Sequence, residues 1–198
     1  MTLLVRQVHL KKVNSQFEAM PTTASITEYA RLCAQYNLPL DKNDIGESGE
    51  KLVAYILCYF PFFRVYFLDG KAPIEDFLGE INNEKTPYPF FVQVKSTTEG
   101  TNGAGNLKAQ LEESKRLALI NRPIPTYLAG VDLNKMEVYF CPVFDVSVKY
   151  GVIPAKHVVK VTDLTNWAKE MEALKQDVID YWTQSRVVTY KPTYKSKL

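Results

Sequence analysis

In the segment Phe91-Val92-Gln93-Val94-Lys95-Ser96, valines alternate with an amide and an ammonium. Successive strand side chains point to opposite faces, so Gln93 and Lys95 share one face and Val92 and Val94 the other. Valines on one face suit packing beneath a helix. An amide beside an ammonium on the other makes poor core and calls for a hydrated pocket, a metal or a phosphate. Upstream, Glu75-Asp76 opens another strand-like run, and only one of two adjacent acids can share the Gln93 face. The turn-like stretch 82–89, with Asn82-Asn83 and two prolines, allows the runs to pair as a hairpin that brings Asp76 towards Gln93 and Lys95. Asp69, Glu75 and Glu80 are the neighbouring alternatives, and parity does not separate Glu80 from Asp76.

A third contribution comes from Gly46-Glu47-Ser48-Gly49-Glu50 at a helix start. Glu50 lies three residues before Val53 and seven before Leu57, on the edge of the stripe that faces the sheet. Glu47 is rotated away and suits the helix dipole better. Two glycines in a first helical turn, Gly46 and Gly49, point to close approach by another backbone or by a ligand.

The order Gly46-x-x-x-Glu50, then Asp76, then Gln93-x-Lys95 resembles the PD-(D/E)xK nuclease superfamily, which includes restriction endonucleases and archaeal-type Holliday-junction resolvases. The fuller text Gly-Glu-x-Gly-Glu followed by Gln-Val-Lys-Ser-Thr is similar to a widespread bacterial group within it, with members standing alone or fused to other modules. The resemblance covers residues 44–143. It implies Asp76 as the central Mg²⁺ ligand, with Mn²⁺ as a substitute, and Glu50 holding metal directly or through water. It further implies Gln93 as a supporting ligand and Lys95 orienting the attacking water and offsetting phosphate charge. Gln93 departs from the many members with Asp or Glu there, and an amide oxygen is a weaker ligand for a hard cation than a carboxylate.

The chemistry so implied is Mg²⁺-assisted phosphodiester hydrolysis in DNA, within defence against foreign DNA or mobile-element biology, with a homodimer as a common assembly. Mg²⁺ sites typically use one or two carboxylates plus water and phosphate, so Glu50 and Asp76 suffice. The competing expectations are a catalytically silent member that binds nucleic acid or protein, and an effector activated by a protein partner.

Around these residues the sequence predicts an α/β (α+β) fold: a restriction endonuclease-like core whose central mixed sheet is flanked by helices, with an additional C-terminal helix. Residues 1–43 read as a lead-in and short helix, 44–145 as the nuclease-like core, and 146–198 as the C-terminal helix and basic tail on or extending that core. Helices are expected over 25–36, 44–60, 107–121 and 163–183, and strands over 62–68, 74–81, 90–97, 126–131 and 136–143. Asp132-Leu133-Asn134-Lys135 joins the last two strands as a hairpin. Leu164, Trp167, Met171, Leu174, Val178 and Trp182 form a helical stripe read as core or a dimer face. Gln110 falls on the predicted 107–121 helix, at a solvated position or within reach of the site.

Composition sets the outer limits. Of 198 residues, 46% are hydrophobic and 23% charged, ordinary values for a folded domain. With 24 basic against 22 acidic residues the chain is no uniformly basic nucleic-acid binder. Four of the basic residues lie in the acid-free tail 186–198, where Lys191, Tyr194 and Lys195 suit a nucleic-acid backbone with base stacking; without them the balance is 20 against 22. Three cysteines, Cys33, Cys58 and Cys141, without C-x-x-C spacing give neither a disulfide framework nor a zinc site, and His9 and His157 stand apart from any second ligand. The N-terminal apolar run is too short for a signal peptide, and the stretch 52–63 is too short to span a membrane. A cytoplasmic protein is expected.

Overall fold

The structure is a computed structural model and describes residues 42–68, 74–82, 88–144 and 152–185, with side chains from residue 45 onward. The predicted lead-in and helix of residues 1–41, the basic tail with Lys191, Tyr194 and Lys195, and Asp69, His9 and Cys33 lie outside the described residues. The elements are α1 (Lys42–Tyr59), β1 (Phe63–Phe67), β2 (Phe77–Ile81), β3 (Pro89–Thr97), α2 (Glu113–Ile120), β4 (Thr126–Asp132), β5 (Glu137–Pro142), β6 (His157–Lys160) and α3 (Leu164–Ser185). The six strands form one mixed sheet in chain order. Its neighbours run antiparallel except β3 and β4, which pair in parallel from Phe91↔Thr126 to Thr97↔Asp132. A parallel pair needs a crossover, supplied by residues 98–125 with α2. No helix among the described residues is long and apolar enough to cross a membrane.

Each face of the sheet carries its own core. On one, α1 lays down Leu52, Val53, Ile56 and Leu57, and α3 lays down Trp167, Met171, Leu174 and Val178, against Val92, Val94, Ala129, Val131 and Phe140. These spacings follow the helical period, and Pro61 prevents α1 from continuing far beyond its last residue. The stripe of α3 is core from Trp167 to Trp182, while Leu164 at its start is exposed: Trp167 Nε1 donates to the Ile56 carbonyl at 3.2 Å and Trp182 Nε1 to that of Pro89 at 2.8 Å. Cys58, half-buried on α1, has its thiol pushed up to about 12 by burial, as expected of a small hydrophobe rather than a nucleophile.

The other face corrects two sequence expectations. The helix predicted from residue 107 begins only at Glu113. Residues 107–112 are non-helical, burying Leu107, Ala109 and Leu111 while Lys108, Gln110 and Glu112 face outward. That is a period of two, not 3.6. Leu107 exchanges main-chain hydrogen bonds with Ile153 at 2.9 and 3.2 Å, which fixes the segment in extended form. The second correction is the additional strand β6, whose four residues are too few to show a clear alternation in sequence.

Candidate functional site

The site arises where strands of unequal length meet. The β2–β3 register pairs Phe77 with Val92, so Asp76, one residue before β2, lies opposite Gln93. The strand β3 runs on to Thr97 with β4 on its other side. Asp76 is tied into the gap by main and side chain: its N–H donates to the Val92 carbonyl at 3.0 Å, and its Oδ2 accepts the Val94 N–H at 2.6 Å. Gln93 Nε2 donates to the same Oδ2 at 2.6 Å and to the Val94 carbonyl at 3.0 Å. Both partners of that nitrogen are acceptors, so the amide can face only one way.

Glu50, Asp76, Gln93 and Lys95 line one open cleft of about 550 Å³. Gly46, at the start of α1, lies on its wall. The neighbouring acids sort by contact. Glu47 is outside, paired with Lys51 at 2.6 Å on the exposed side of α1. Glu75 points the opposite way from Asp76, buried beside Arg122 Nε at 2.5 Å. Glu80 sits at the far end of β2 beneath Tyr66, whose hydroxyl donates to it at 3.4 Å. Gln110 is exposed before α2 and is not among the residues that line the cleft.

The two glycines divide between the readings offered for them. A Cβ on Gly49 would fall 1.7 Å from Ser96 Oγ, so α1 reaches β3 only because residue 49 has no side chain. A Cβ on Gly46 would meet nothing within 4 Å. Close packing thus fixes one glycine, while the other leaves the cleft wall bare.

Burial governs the electrostatics. It raises the Asp76 carboxyl above its ordinary value, against the lowering effects of the Val94 N–H and Lys95, with Glu75 adding to the rise. It lowers the Lys95 ammonium, with Lys115 adding to the fall and Asp76, Glu112 and Glu50 opposing it. Glu112 and Lys115, at the start of α2, are charges around the site that the sequence reading missed. Their only sequence signal is a spacing of three residues on a helix start. Ser96 Oγ, buried under α1, has no hydrogen-bond partner among the described residues. Asp132, fully buried at the end of β4, belongs to the turn instead: its Oδ1 accepts the N–H groups of Asn134 and Lys135 at 3.0 and 3.1 Å.

Among the described residues, no three His, Cys, Asp or Glu side chains form a metal-holding group. The cleft is lined by three carboxylates, Glu50, Asp76 and Glu99 (the last not singled out from sequence), and the Gln93 amide, all oxygen donors of the kind a hard cation takes. Asp76 commits Oδ2 to two donors, and among the described residues its Oδ1 accepts no hydrogen bond. A half-buried carboxylate with one oxygen uncommitted and its acidity suppressed by desolvation fits a divalent cation, whose charge would offset that desolvation. No family model, curated protein or solved structure matches this chain.

Proposed function

We propose that the chain is a metal-dependent nuclease that hydrolyses phosphodiester bonds in DNA. The observation that carries this reading is the convergence of Glu50, Asp76, Gln93 and Lys95, from α1, the lip of β2 and β3, on a single cleft. A divalent cation bound there would stabilise developing charge on the phosphate and lower the pKa of its water. Glu50 and Asp76 would hold it, with Gln93 beside them as the supporting ligand the resemblance implies. Lys95 carries three donors on a half-buried stem. It contacts a non-bridging phosphate oxygen and orients the attacking water, in surroundings where a fixed charge acts more strongly than in bulk solvent. The β3 strand presents Gln93 and Lys95 in fixed register, so the cleft is preorganised.

Incubation of the purified protein with plasmid and branched DNA in Mg²⁺ or Mn²⁺ tests this. Cleavage that disappears with chelator and in both Asp76→Ala and Lys95→Ala is the expected result. Cleavage that survives either substitution removes the assigned site. Tight DNA binding without cleavage in either metal favours the silent binding module, for which the use of Gln93's nitrogen on Asp76 is the motivating contact.

A further inference from the structure

Gln93 occupies a position where the resemblance implies a ligand, yet its contacts are those of a clamp. Its nitrogen lies 2.6 Å from Asp76 Oδ2, on the same oxygen that takes the Val94 N–H at 2.6 Å. Two donors converging on one carboxylate oxygen fix the plane of the carboxylate. The other oxygen, Oδ1, is then the atom left to a cation. Gln93 itself is only 4% exposed, and its nitrogen is anchored a second time on the Val94 carbonyl, so the amide has little freedom to turn.

The type of residue matters as much as its direction. A carboxylate at residue 93 would put two negative oxygens at hydrogen-bond distance with no donor between them. The amide removes one charge and adds the donor. Glu50, Asp76, Glu99 and Lys95 then sum to two negative charges in the cleft, the charge that one divalent cation balances, where a carboxylate at residue 93 would leave three.

We infer that Gln93 is a positioning residue that aims Asp76 Oδ1 and holds the cleft to one divalent cation. It is not itself a metal ligand. The inference rests on the nuclease reading and reassigns one residue within it.

The test is Mn²⁺ binding to the chelated full chain, followed by electron paramagnetic resonance of the unbound ion, without DNA. One ion per chain is expected for the wild type. Gln93→Met keeps the length and loses the N–H, and is expected to weaken binding about tenfold. In an Asp76→Ala background the same change is expected to have no further effect, because Gln93 acts only through Asp76. Additive losses in the double variant overturn the inference. Gln93→Glu, which keeps the shape, covers the case that Gln93→Met does not fold. It is expected to bind a second ion, whereas one ion held more tightly than in the wild type identifies residue 93 as a ligand and overturns the inference. Thermal unfolding of the metal-free single and double variants gives a second readout: the clamp requires non-additive shifts in melting temperature even without metal. A wild-type chain that binds no Mn²⁺ overturns the inference together with the nuclease reading, and that outcome differs visibly from additivity in a protein that does bind it.

Discussion

Two concave regions of this molecule invite comparison. One is the cleft beyond β2. The other, of about 350 Å³, lies between α3 and strands β4 to β6 and is lined by Tyr127, His157, Glu170, Gln176, Asp177 and Asp180 among others. In the second, polar side chains pair with each other. Tyr127 donates to Asp177 at 2.5 Å, His157 meets Glu170 at 3.0 Å, and Gln176 donates to Asp180 at 2.8 Å. In the first, Lys95 makes no hydrogen bond or ion pair and Ser96 Oγ is unpartnered among the described residues, and burial disfavours the ionised form of Asp76. Satisfied polar groups hold a helix on a sheet. Desolvated groups with capacity to spare are what a reacting ligand requires. The difference supports the proposed placing of chemistry in the first region and treats the second as a clasp.

Substitutions should therefore act in opposite senses in the two regions. The largest effect is expected from Lys95→Met, which should slow cleavage by about 10²–10³-fold, the usual loss when one preorganised electrostatic group is removed. The same variant should melt about 2–4 °C higher, because an unpaired half-buried charge has been replaced by an apolar chain. A fall in melting temperature would show that Lys95 serves the fold. Next comes Gly49→Ala, which drives a methyl into Ser96 and should cost about 1–3 kcal/mol in urea denaturation. Gly46→Ala, with open space around it, should instead gain up to about 1 kcal/mol from helix propensity. In the clasp, Tyr127→Phe should cost about 1 kcal/mol and leave the cleavage rate unchanged. A loss of cleavage there would dissolve the distinction between the regions.

The smallest effect should appear in pH dependence. Asp76 has a folded pKa above its unfolded one, so between the two the unfolded chain has released a proton that the folded chain still holds. Stability of the metal-free protein therefore falls as pH climbs from about 4 through that window, and the loss persists above it. Lys95 is displaced downward, so the folded chain gives up its proton first, and stability recovers as pH rises through the corresponding alkaline window. Denaturation of wild type and Asp76→Asn in parallel across the acid range checks the first sign: only the wild type should show the fall.

The site was legible in sequence to the extent that strand alternation could carry it. Parity alone put Gln93 and Lys95 together and predicted that one member of Glu75-Asp76 would join them, and the antiparallel β2–β3 register does so. Parity could not discard Glu80, because its separation from the cleft depends on where β2 begins. Nor could it show which way the Gln93 amide faces, since that is decided by two acceptors supplied by tertiary structure. The fold was read least well over residues 107–112. Asn106 resembles a cap, and Leu107 with Leu111 has helical spacing, yet the sequence across 107–112 equally carries a strict alternation of apolar and polar residues. Pairing with Ile153 selects the extended form, and that partner is remote in sequence.

The absence of a side chain at Gly49 has a mechanical consequence. Helix α1 and strand β3 meet there without a cushion, so they behave as one welded part rather than two that slide. Glu50 follows the weld on the helix by one residue, and Lys95 precedes it on the strand by one. The closeness of helix and strand there sets the spacing of these two side chains. Asp76 is fastened to the same strand through the Val92 carbonyl and the Val94 N–H, so all three side chains take their positions from β3.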